Sequence, residues 1–217
     1  MIALFQKNVP GWRYTVLCVG AHSDDIEIGC GGTILHLLRA HPGIEVIWVV
    51  FSASRHRRKE AEVSARRFLA GASQKSVIVK SFRESHFPYC GQKIKQYFEH
   101  LKRDANPDLI FTHYRHDLHQ DHRIINELTW NTFRSHRILE YEIPKYDGDL
   151  GVPNFFVSLP EALGKLKAQY IIEGFPSQRV KKWFTEDTFL ALLRLRGVEA
   201  NGSGHYAEAF HSRKWVV

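Results

Sequence analysis

Tyr14-Thr-Val-Leu-Cys-Val-Gly20 runs straight into Ala21-His22-Ser23-Asp24-Asp25, and this junction decides the fold. The first seven residues are apolar and partly β-branched, with no alternation, which is the pattern of a strand buried on both faces. The chain then turns polar, passes Gly29-Cys30-Gly31-Gly32, and takes up helical spacing from Gly31 to Arg39 before Pro42-Gly43 closes it. A helix is therefore expected to begin near Gly32. The glycines would allow a tight turn, and the first N–H groups would face the polar cluster.

Outward from this junction the alternation repeats. Residues 44–51 read as a second buried strand, 59–69 as a helix stopped by Gly71, 76–80 as a weaker strand and 94–101 as a helix. After the stop at Asn106-Pro107-Asp108 come a strand at 109–113, a helix at 121–133 and a strand at 138–143. Strands alternating with helices imply an α/β fold, a mostly parallel sheet with helices on both faces. Ligands of such sheets sit beyond the carboxyl ends of the strands. Both polar clusters, after the first and fourth strands, fall at that edge. Past Pro144 the pattern weakens to a turn-rich loop at 145–154 and helices opening at 158–164 and running over 184–197. The expectation is a single domain over 1–217, with a core at about 14–143. Residues 144–217 form a C-terminal extension that packs on the core or shapes the pocket.

Composition narrows the function classes. At 217 residues and 44% hydrophobic the chain is long enough for one ordinary globular core. No apolar run reaches the roughly 18–20 residues of a membrane span. The N-terminal stretch lacks a basic start, apolar core and cleavage site, so no secretory signal is expected. Three cysteines, Cys18, Cys30 and Cys90, make no disulfide framework and fit a reducing, cytoplasmic setting. The formal charge of +7 is scattered, with one short run at 55–59 that leads into a helix. No nucleic-acid reader motif accompanies it. An anionic small substrate is the better account of the excess, and a homo-oligomer is left open.

Thirteen histidines direct the chemistry, four of them (His113, His116, His119, His122) within ten residues. One imidazole, His22, beside two adjacent carboxylates, Asp24 and Asp25, is a ligand set suited to a divalent ion, zinc above all. Adjacent carboxylates point in different directions, so one can bind metal while the other moves a proton. An Asp-Asp pair after a buried strand also suits a magnesium-dependent phospho-acceptor module. That reading leaves His119 and His122 without a task, and magnesium sites rarely recruit imidazole. His119 and His122, three apart at a helix entry, can face one centre with Asp121 as an orienting partner. His113 and His116 read as structural or surface residues, and Cys30 as a small buried side chain.

His22-Ser23-Asp24-Asp25 with Gly29-Cys-Gly-Gly32, then His119-Gln-Asp121-His122, resembles the LmbE/PIG-L family of zinc-dependent N-acetylglucosaminyl deacetylases. Arg57-x-x-Glu60 ahead of Phe68-Leu69 agrees with it, and Tyr206-Ala-Glu-Ala-Phe210 is a looser echo. The resemblance implies a Rossmann-like three-layer sandwich in which His22, Asp25 and His122 bind one Zn2+ per chain. It implies Asp24 as general base, His119 as general acid, Asp121 as the residue holding His119, and Arg57 at the substrate side. Against the last stands a plain helix-surface pair of Arg57 with Glu60. The implied reaction is hydrolysis of an N-acetyl group from an amino-sugar conjugate: a sugar nucleotide, a glycoside, or a glycan or secondary-metabolite precursor. A zinc amidase acting on another N-acyl group is the alternative. Ser23 in place of proline, Ile26 in place of glutamate and Ser52-Ala-Ser-Arg55 in place of a Gly-Glu loop depart from the family pattern. The last departure leaves the sugar open.

Overall fold

The computed structural model describes residues 14–214; the N-terminal stretch read above for a secretory signal lies, over 1–13, outside the described residues. Seven strands form one sheet. β1 (Tyr14–Gly20), β2 (Ile44–Val50), β3 (Gln74–Val79), β4 (Leu109–His113) and β5 (Arg137–Tyr141) are parallel. β6 (Phe155–Leu159) and β7 (Tyr206–His211) add an antiparallel edge, in the order β3-β2-β1-β4-β5-β7-β6. Helices α1 (Asp25–Ala40), α2 (Arg55–Phe68), α3 (Gly91–Asp104), α4 (Gln120–Thr132), α5 (Glu161–Gly174) and α6 (Glu186–Ala200) cover the two faces. Side chains alternate across β1, so Val16 and Cys18 pack with α1, α2, α5 and α6. Leu17 and Val19 pack with α3 and α4. The expected three-layer α/β sandwich with a mostly parallel sheet is what the chain forms.

β1 lies between β2 and β4, so connections leave it toward opposite faces of the sheet. A crevice opens where they part, and ligands of such sheets bind there. The polar segments after β1 and β4 flank that crevice.

The start of α1 differs from expectation. The helix begins at Asp25, not near Gly32, and the glycines lie inside it. They serve close packing rather than a turn: a Cβ on Gly29 would sit 2.2 Å from the Tyr141 ring, and one on Gly31 2.6 Å from Phe68. A buried ion pair also enters this helix. Lys167 Nζ donates to Ile28 O at 2.6 Å, while the Glu208 carboxylate accepts the N–H groups of Gly32 and Thr33. Lys167 and Glu208 lie 2.5 Å apart, so each charge is compensated. Helix α2 also starts early, at Arg55, because Ser54 caps it. Residues 158 and 159 are strand, with α5 beginning after Pro160. Among the described residues, 144–214 supply two strands and two α-helices to the same sandwich. Among the described residues no helix is long and apolar enough to cross a membrane.

Gly29→Ala tests the packing of α1 on β5. The Tyr141 hydroxyl donates to Val19 O at 2.7 Å, so its ring is tethered and cannot swing aside. Overpacking of this kind costs about 1–3 kcal/mol. Denaturant unfolding should show an unfolding free energy lower by that amount, read as a lowered midpoint at unchanged slope.

Candidate metal centre and active site

Three ligand atoms converge in the cavity at this crevice. His22 Nδ1 and His122 Nε2 lie 3.1 Å apart, and Asp25 Oδ2 lies 3.3 Å from the first and 3.5 Å from the second. A tetrahedral ion with bonds of roughly 2.0–2.1 Å requires ligand–ligand edges of about 3.3 Å. The donor set therefore fits one small divalent ion, and its two nitrogens and one oxygen are borderline ligands of the kind zinc accepts. The grouping is wider than this triad. Ligand atoms of His22, His119 and His122 lie within 4.8 Å of one another, and so do those of Asp25, His113 and His122.

Second partners fix the ring orientations. His122 Nδ1 sits 2.9 Å from Asp117 Oδ2, and His22 Nε2 sits 3.2 Å from Asp121 Oδ2. Each carboxylate claims one ring nitrogen and turns the other toward Asp25, as metal-binding imidazoles are commonly held. Charge follows the same geometry. Burial opposes a charge on His22, yet Asp25 and Asp121 outweigh it and push its pKa up to about 10. Burial and the neighbouring His113 hold His122 down to about 3. Asp25 is buried, but His122, His113 and His22 keep its carboxyl well below the usual range.

Asp24 is the adjacent carboxylate, and it points elsewhere. Its Oδ1 accepts from Arg57 Nη2 at 2.8 Å. Burial raises its pKa, opposed by the Arg57 charge and assisted by Asp25. Arg57 also reaches Glu84 at 3.4 Å. The helix-surface pairing of Arg57 with Glu60 does not form, because the Glu60 carboxylate accepts the backbone N–H and hydroxyl of Ser177. His119 caps α4, its Nδ1 accepting the Asp121 N–H at 3.2 Å. A neutral His119 in that arrangement carries its proton on Nε2. Burial and the His22 charge lower its pKa.

His22, Asp24, Asp25, Arg57, His119 and His122 all line one cavity of about 210 Å³. Asp121 is placed differently from the expectation. Its carboxylate is taken up by Ser85 N–H at 2.6 Å, Phe87 N–H at 3.1 Å and His22, leaving only its backbone N–H for His119. It orients His22 rather than His119.

Several site residues escaped the sequence reading. His113, read as structural, stacks on His122 at 3.9 Å and places Nε2 3.2 Å from Asp25 Oδ2. Its Nε2 also accepts the Ala21 N–H at 3.0 Å, joining β4 to the loop after β1. Asp117, five residues before His122 in the same cluster, joins the site through its bond to that ring. Lys145, Tyr146, Lys181 and Trp183 reach the cavity from the C-terminal part of the chain, where spacing gave no signal.

The sequence profile of the family described as PIG-L: GlcNAc-PI de-N-acetylase matches residues 17–133, more than half of the chain. Among solved structures, the conserved protein TT1542 from Thermus thermophilus is 21% identical with a TM-score of 0.71, over 93% of this chain and 95% of that one. The N,N'-diacetylchitobiose deacetylase from Pyrococcus horikoshii is 24% identical with a TM-score of 0.66, over 92% and 83%. GalB, the 4-carboxy-2-hydroxymuconate hydratase from Pseudomonas putida, is 18% identical with a TM-score of 0.68, over 94% and 98%. At these identities the likeness concerns the fold, and a deacetylase and a hydratase share it.

Asp117→Asn should weaken divalent-metal affinity by about 10- to 100-fold, because the partner fixing His122 is lost while the ligands remain. Competition against a chelating dye measures it. An unchanged affinity would separate Asp117 from the metal centre.

Proposed function

The chain belongs to the PIG-L family, and from that premise we propose that it is a zinc-dependent hydrolase removing the N-acetyl group from an amino-sugar conjugate. The observation that carries the reading is the convergence of His22 Nδ1, His122 Nε2 and Asp25 Oδ2 beside Asp24 in one cavity. One Zn2+ per chain is held by these three residues, and its chemistry is a Lewis acid for the amide carbonyl and a lowered pKa for water.

The protein groups divide the remaining work. Arg57 engages Asp24 Oδ1, and Asp24 Oδ2 takes the proton of the attacking water. A buried carboxyl with a raised pKa suits a base working near neutral pH. His119 donates from Nε2 to the oxygen on which negative charge develops. The amine departs only when protonated. With Nδ1 of His119 accepting the Asp121 N–H, the acid role expected of His119 falls in this reading to Asp24, which passes its gathered proton to the nitrogen.

An anionic substrate is part of the reading, with a different residue facing it. Arg57 is committed to Asp24 and Glu84, and Lys145 to Asp117 and Asp149. Lys181 lines the same cavity 5.4 Å from the Trp183 ring, and no ion pair of its own is formed among the described residues. A phosphate or carboxylate on the sugar or its aglycone is its fitting counterpart. The free cysteines agree with a cytoplasmic setting.

Acetate release from a panel of N-acetylated sugar nucleotides, sugar phosphates and neutral glycosides tests the activity. Longer N-acyl analogues in the panel separate a deacetylase from a broader amidase. Turnover that survives a chelator, or the absence of acetate from every member, would contradict the reading. Asp24→Asn should keep its zinc and lose about 100- to 10,000-fold in kcat. Lys181→Ala should raise KM about tenfold for a phosphorylated substrate and leave a neutral glycoside nearly unchanged.

A further inference from the structure

On the other side of the histidine-rich segment lies a second cavity of about 370 Å³, lined by Arg115, His116, Arg123, Glu127, Trp130 and Arg213 among others. Three guanidiniums and one rim carboxylate surround it. Two of its walls are firmly built. Glu140, at the end of β5 and fully buried, accepts the Arg115 N–H at 2.9 Å, the Trp130 indole N–H at 2.7 Å and the Arg213 Nε–H. Arg213 also donates to Asn126 Oδ1 at 2.7 Å and lies over the Trp130 ring at 4.3 Å. Arg123 donates through Nη1 to the carbonyls of Asp117 and Leu118, which leaves its Nη2 and Nε unused by those bonds. The Arg115 guanidinium donates through Nε to His116 Nε2 at 3.1 Å, and no carboxylate pairs with it among the described residues.

We propose that this arginine-lined cavity is a binding site for a phosphate-class dianion, separate from the catalytic cavity. Glu140 and Asn126 take Nε and Nη2 of Arg213 and hold its guanidinium in place, so its Nη1 is presented without the ordering that a free surface arginine requires. Arg115 and Arg123 keep charges that the lining does not cancel, Glu127 being the only carboxylate among the lining residues. Guanidinium N–H groups lining one cavity from three chain positions match the tetrahedral oxygens of phosphate better than a single carboxylate. The site also touches the reaction machinery indirectly. Arg123 holds the backbone of Asp117, whose side chain orients His122.

Binding of inorganic phosphate to the zinc-loaded full chain at low salt tests the site, followed by calorimetry and by the Trp130 indole N–H resonance. Arg115→Glu should weaken phosphate at least about tenfold, and Glu127→Lys should strengthen it. Both side chains are exposed, so neither change threatens folding. The dianion has two sources, and kinetics with a phosphorylated N-acetyl amino sugar separates them. A KM raised in Arg115→Glu for that substrate alone places the phosphate on the substrate. An unchanged KM with weakened free phosphate makes it an independent ligand. Equal phosphate affinity in all three proteins, or shifts confined to the surroundings of His22, would overturn the proposal. The phosphate arm stands whether or not the chain releases acetate.

Discussion

The buried carboxylate of Asp25 holds the site together. It accepts the His22 N–H at 2.6 Å, which closes the turn from β1 into α1. It faces imidazole nitrogens of His22, His113 and His122 at 3.2–3.5 Å. An ionised carboxylate removed from water is costly unless hydrogen-bonded and matched by positive charge. Those three imidazoles come from the loop after β1, the end of β4 and the first turn of α4. His113 Nε2 accepts the Ala21 N–H and His122 Nδ1 is taken by Asp117, so the nitrogens facing Asp25 make up a ligand set. That set forms only with β4 beside β1, which is where the strand order reverses. Fold and site meet at one charge.

Around that charge the polar groups are arranged in alternating signs. Behind the imidazoles stand Asp117 and Asp121, and behind Asp117 stands Lys145 at 3.0 Å, itself paired with Asp149. Beside Asp25 stands Asp24, then Arg57, then Glu84. Asp121 links the two rows, since it binds His22 and also the N–H groups of Ser85 and Phe87 in the loop that carries Glu84. Ser85 takes a left-handed φ of 62° there, a local strain that its backbone bond to Asp121 offsets. Such an arrangement leaves few groups free. Most charged side chains lining this cavity already answer to another charge, Arg57 and Lys145 among them.

The sequence made the parallel part of the sheet legible because β1, β2 and β4 are largely apolar, buried runs between clear helix stops, with the more polar β3 and β5 fitting the same alternation. It also marked both ends of the crevice, since polar clusters after two buried strands have few structural uses. The antiparallel edge was not legible. β7 is Tyr-Ala-Glu-Ala-Phe-His, short of β-branched residues and carrying a glutamate that is buried only because Lys167 and two helix N–H groups meet it. The start of α1 was misplaced for a related reason. Glycines that look like a turn are there because Tyr141 and Phe68, distant in sequence, pack directly against the helix backbone. Within the site, residue types at close spacing were readable. Which carboxylate orients which histidine depends on the loop at 84–87, and no local pattern reveals that.

X-ray absorption at the zinc edge, on protein loaded with one equivalent of Zn2+, bears most directly on the convergence of His22, Asp25 and His122. The expected first shell is two imidazole nitrogens and carboxylate or water oxygens at about 2.0–2.1 Å, without sulfur. The same spectrum should be lost on loading His122→Ala. A thiolate sulfur at roughly 2.3 Å, or an unaltered spectrum in His122→Ala, would contradict the account.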